Sequence, residues 1–150
     1  MRDLYNNLAV VEAIAPAAYA ADNTPVAIDL RNLAAAMLTL QVGVGGITFS
    51  GTNKIEFVLT HADPKADGSA PDAEDYVAVE QGDVQGVTVA SGGIIMALTA
   101  AHAAATLTRV GYIGHKSFLK LLADFSGTHG AGTPIAATVQ GRPYSLPVAA

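Results

Sequence analysis

Alternation with a period of two governs most of this 150-residue chain. Val26-Ala27-Ile28-Asp29-Leu30 and Leu38-Thr39-Leu40-Gln41-Val42 place apolar side chains at alternate positions, and Gly43, Gly45 and Gly46 punctuate the second run. Residues 54–60 set Ile55, Phe57 and Leu59 on one face and Lys54, Glu56 and Thr60 on the other, after the turn-forming Ser50-Gly51-Thr52-Asn53. Successive side chains of an extended strand point to opposite faces, so these runs read as half-buried strands. Downstream, Val87 and Val89 share a face, as do Leu119, Leu121, Ala123 and Phe125, and then Ile135, Ala137 and Val139. About seven short strands separated by turn signals predict an all-β fold, a β-sandwich or barrel. A jelly-roll-like sandwich is the expected form; alternation alone leaves an immunoglobulin-like topology open.

Two regions depart from the pattern. Residues 94–105 are rich in Ala, Leu and Met, which favours a helix locally. Gly92-Gly93 precedes them, however, and Ile94, Met96 and Leu98 alternate, so the expectation is a strand over 94–99. A turn or short helix through 100–104 and a further strand leading to Tyr112 should follow. Residues 1–24 contain Leu4, Leu8, Val10, Val11 and Ile14, but also Pro16 and the turn-like Asp22-Asn23-Thr24-Pro25. They read as an extended N-terminal arm, with residues 25–150 as a single sandwich domain. The acidic segment 62–75 (ADPKADGSAPDAED) reads as a protruding surface loop between two strands.

Composition narrows the function. Eight Lys+Arg against 13 Asp+Glu give a net charge of −5, with the cations scattered, which argues against a protein that tracks a phosphate backbone. Only 14% of residues are charged and 51% are apolar, the balance of an ordered chain, and so weakly charged a surface is expected to be covered by something else, often another protein chain. There is no cysteine, hence neither a disulfide nor a thiolate ligand or nucleophile. Apolar runs are too short to cross a bilayer, and the start MRDLYNN lacks the uninterrupted apolar core of a secretory signal.

Candidate chemistry is sparse. Asp63, Asp67, Asp72, Glu74 and Asp75 are hard oxygen donors, but their spacing is not that of an EF-hand, and a solvated loop accounts for them. His61, His102, His115 and His129 form no HExxH pair. Ser126, His129 and Asp124 lie close in sequence without a G-x-S-x-G elbow, as a Gly-rich hairpin also places them. Gly43-Val44-Gly45-Gly46 misses the dinucleotide fingerprint, since Thr48 stands at the third glycine. Aromatics are only 6% with no Trp, and Tyr76, Tyr112 and Tyr144 are far apart in sequence. The expectation is a non-enzyme with no cofactor and no metal.

Residues 54–61 (KIEFVLTH) with the acidic loop after them, and residues 111–130 (GYIGHKSFLKLLADFSGTHG), resemble small virion accessory proteins of tailed bacteriophages. The layout of residues 1–143 is similar too, and head-spike bases of phage-derived gene transfer agents look alike. The resemblance implies a β-sandwich on the capsid surface, made in the bacterial cytoplasm, acting as a decoration, cement or spike-base protein. It implies partnership with itself as a symmetric trimer or pentamer, and with the major capsid protein or neighbouring virion proteins. No direct nucleic-acid or membrane contact is implied. On this reading Leu4, Tyr5, Val10, Val11 and Ile14 of the arm carry intersubunit or shell contacts. Arg31, Lys54, Arg109, Lys116, Lys120 and Arg142 are candidates for orienting ion pairs, and equally for ordinary surface cations. The alternative is a receptor- or carbohydrate-binding sandwich of a fibre, neck or tail component.

Overall fold

In a computed structural model that describes residues 3–145, alternation becomes ten strands. They are β1 (Ala9–Tyr19), β2 (Ile28–Asp29), β3 (Leu33–Val42), β4 (Lys54–Ala62), β5 (Val77–Ala78), β6 (Val84–Gln85), β7 (Ile94–Leu98), β8 (Thr106–Tyr112), β9 (Phe118–Ser126) and β10 (Thr133–Pro143). All pairings are antiparallel. The first sheet runs β1-β10-β3-β8-β6; the second runs β2-β9-β4-β5, with β7 sharing the free side of β4.

The pairs β1/β10, β2/β9, β3/β8 and β4/β7 are nested, outermost with outermost and innermost with innermost. The chain is thus one long antiparallel ribbon whose successive rungs fall alternately into the two sheets. Both sheets close on one apolar core: Leu38, Leu40 and Val42 of β3 and Ile135, Ala137 and Val139 of β10 join Ile55, Phe57 and Leu59 of β4 and Leu119, Leu121 and Ala123 of β9. Phe57, Leu40, Ile55, Leu119 and Leu121 are fully buried, and each such side chain contributes about 1.5–3 kcal/mol of transfer free energy.

The expected strand at 94–99 forms as β7, and its turn explains why no helix starts there. Gly93 has φ +80°, and a Cβ on it would lie 2.6 Å from the Leu59 carbonyl oxygen, so only glycine fits where the ribbon doubles back. Residues 100–105 continue as bends without a helical turn before β8. Over 26–30 only Ile28 and Asp29 pair, with Leu119 and Phe118. Val87 and Val89 pack on the core without belonging to a strand. The Gln81 side chain serves there instead of a neighbouring strand, its amide donating to the Val87 carbonyl (3.1 Å) and accepting from the Val89 N–H (3.0 Å).

The segment read as an arm is, over Ala9–Tyr19, the edge strand of the first sheet, paired along β10. Two register shifts, around Glu12/Ile14 and Ile14/Ala17, put Ala13 and Ile14 both into the core, each 3% exposed. Ile14 is therefore a core residue and not a contact for a neighbour. Beyond β1, Asp22 and Asn23 cross to the second sheet. There the Asn23 side chain accepts from the Ala123 N–H (2.7 Å) and donates to the Leu121 carbonyl (3.2 Å), while Asp22 accepts from the Phe125 N–H (2.7 Å).

Candidate interaction surface

The outward side of the first sheet follows from register. Leu38, Leu40, Val110, Ala137 and Val139 point into the core. Their strand neighbours therefore point outward, and directly opposed residues of an antiparallel pair share a face. One row across four strands reads Glu12, Thr138, Thr39, Arg109. The row below it on β10 reads Gln140, Met37 and Gly111, with Val10 on β1; the row above reads Ala136, Gln41 and Leu107. Val10 is 59% exposed and Leu107 61%. At the Leu107 end a predominantly apolar groove of about 720 Å³ crosses the sheet, walled by Pro16, Pro134, Ala136, Gln41 and Leu107. A solvated sheet face is usually polar at these positions; this one sets Val10, Met37, Ala136, Leu107 and the two prolines among its polar residues.

The cations fall into two groups. Lys54 pairs with Glu56 and Lys65 with Asp72, both at 2.6 Å, and Lys116 pairs with Asp63. Arg31 bonds Asp29 at 2.6 Å, donates to the Gly68 carbonyl and lies over the Phe118 ring, while Lys120 lies over Tyr76 at 3.9 Å. Among the described residues, Arg109 and Arg142 make no such ion pair or ring contact, and both lie on the outer face of the first sheet. Glu12, at the other end of the Arg109 row, is exposed and also pairs with no cation among the described residues. Of the remaining contact candidates, Leu4 and Tyr5 are exposed ahead of β1, and Val11 is 39% exposed on the edge strand.

A second concavity, about 360 Å³ and more polar, joins residues the sequence separates: Arg31, Tyr112, Lys116 and Tyr144 line it together with Leu33 and Ser117. Its floor is tied across the two sheets. The Tyr112 hydroxyl of β8 lies 3.0 Å from His61 Nδ1 of β4 and accepts from the Lys116 N–H at 3.1 Å. His61 Nε2 is 3.9 Å from an Asp83 carboxylate oxygen. Burial pushes the Tyr112 phenol up to about 12, so it stays protonated and donates.

His129 and most of the acidic-loop carboxylates are occupied by local structure, whereas His102 Nε2 is buried without a hydrogen-bond partner. His129, 2% exposed, has Nε2 2.8 Å from the Ser126 carbonyl oxygen, not the hydroxyl, and packs edge-on to Phe125 at 4.7 Å. Asp124 is registered with Glu56 on the far side of the second sheet, so the three do not form a proton relay. In the acidic loop Asp63 and Asp72 bind lysines, Asp67 accepts from the Ser69 N–H and Asp75 from the Asp72 N–H. No three His, Asp or Glu side chains are grouped so as to hold a metal ion among the described residues. No helix among them is long and apolar enough to cross a membrane.

No family model, curated protein or solved structure matches this chain. Sequence reasoning missed Glu12, Pro16, Leu107 and Pro134. For Leu107 and Pro134 the signal was present, since each alternates with core residues of its strand; for Glu12 and Pro16 it was not, because the register shifts of β1 break the alternation around them.

Proposed function

We propose that this chain is a structural virion component of a tailed phage or phage-derived particle, working by association with copies of itself and with the shell. The observation that carries the reading is the predominantly apolar groove that crosses four strands on the outer face of the first sheet, ending on the long edge strand β1. A face of that kind gains from burial against protein. The resemblance of residues 54–61 and 111–130 to capsid decoration and spike-base proteins supplies the setting. Strand order supports a jelly-roll sandwich as the finer form of the fold: eight of the strands fall as β1-β10-β3-β8 and β2-β9-β4-β7, the wrapped ribbon of that architecture, common in capsid and lectin domains. Native mass spectrometry of the full chain is expected to give one discrete homo-oligomer. Peptide mapping of particles purified from the expressing bacterium is expected to find the chain at fixed copy number. A monomer at every concentration, or particles that lack the chain, overturns the proposal.

The cleft of Arg31, Tyr112, Lys116 and Tyr144 favours a second reading, a receptor- or carbohydrate-binding sandwich, because it presents two phenols beside two cations. Saturable binding on a glycan array, lost in Tyr144→Ala, would establish it; a blank array removes it.

A further inference from the structure

From the charge pattern of the first sheet we infer that two copies of this chain pack face to face through it, about a two-fold axis parallel to the strands and running between β10 and β3. The inference deepens the self-association proposed above and rests on it. Four strands lie across the face in the order β1, β10, β3, β8. A two-fold axis along the central seam exchanges β1 with β8 and β10 with β3. It therefore sets Glu12 of one copy opposite Arg109 of the other, twice, because both residues belong to one register row at its opposite ends. The same operation lays Thr138 against Thr39, and brings Leu107 of each copy over the Pro16 end of the other's groove.

Dimensions agree. Glu12 and Arg109 are three strand spacings apart, ~14 Å, too far to pair within one copy, and each lies ~7 Å from the axis. Packed sheets are separated by ~10 Å and cross at about 30°. At ~7 Å from the axis that angle displaces opposed residues by only ~4 Å, within the reach of a glutamate and an arginine. A two-fold axis perpendicular to the strands and laid along this row sets Glu12 against Glu12 and Arg109 against Arg109, which like-charge repulsion disfavours. Four strand spacings by about nine residues of rise make the face ~19 by ~30 Å, roughly 600 Å² in projection. Side-chain relief raises this toward the ~800 Å² per partner of a stable interface. A closed contact of this kind yields pairs; a trimer or pentamer needs a further head-to-tail contact elsewhere.

Sedimentation equilibrium on the full chain, with Glu12→Arg, Arg109→Glu and an equimolar mixture of the two variants, tests the geometry. The wild type is expected to pair, and each single variant, with two repulsive contacts in place of two attractive ones, to associate at least ~10-fold more weakly. The mixture is expected to recover wild-type affinity, since only the mixed pair restores both contacts. Circular dichroism on each variant verifies that its fold is intact. Single variants that associate like wild type, or a mixture no tighter than either alone, overturn this arrangement while leaving self-association standing. A wild type that stays monomeric overturns both.

Discussion

Burial holds the His61 imidazole below its ordinary value of 6.5, opposed by Asp83 and reinforced by Lys116, with smaller opposing contributions from Asp63 and Glu80. The folded protein therefore binds a proton at this site less readily than the unfolded chain does. Its contribution to stability is fully present above pH 6.5 and is lost as pH falls through 6.5 toward the depressed folded value. The melting temperature is expected to drop between pH 7.5 and 5, and His61→Gln to flatten that slope by half or more. A slope unchanged by His61→Gln excludes this residue as its source. None of this was legible at the level of single residues. His61 ends an alternating run and reads as a strand terminus, and its partner Tyr112 stands 51 positions away. Asp22 and Asn23 read as a turn for the same reason, because the backbone they serve belongs to β9.

At the scale of elements, strands with sustained alternation were legible: β3, β4, β9 and β10 fall where period two puts them. β7 forms where expected but buries Ile95 and Leu98 instead of one Ile94/Met96/Leu98 face, because a register shift interrupts its ladder with β4. β1 was not legible, because its register shifts send consecutive residues Ala13 and Ile14 inward and Pro16 interrupts the run, so it reads as an irregular arm. The difference has a measurable consequence. An arm that only touched neighbours could be removed without harm, whereas deleting residues 1–20 leaves β10 paired on one side only, with β3, and empties the Ile14 site. Burial of Ile14 alone contributes ~1.5–3 kcal/mol. The truncated chain is expected to have a clearly lower denaturation midpoint, read by urea titration with circular dichroism. A truncation that unfolds at the wild-type midpoint shows that β1 adds nothing to the sheet.

For the whole molecule, the all-β class and the outward position of the acidic loop followed from local pattern, while the pairing did not. Alternation tells which side of a strand faces the core but not which strand lies beside it, so the row from Glu12 to Arg109 emerges only from the ladders. The exposed apolar face was hidden for a related reason: Leu107 and Pro134 look unremarkable until their neighbours in other strands stand next to them. The nested pairing also orders events during translation. β10 leaves the ribosome after every other strand, yet its place is between β1 and β3. β1 therefore waits without a ladder partner until Thr133–Pro143 has been made. A nascent chain arrested before Thr133 leaves β1 cut off from β3, β8 and β6, a ready substrate for chaperones.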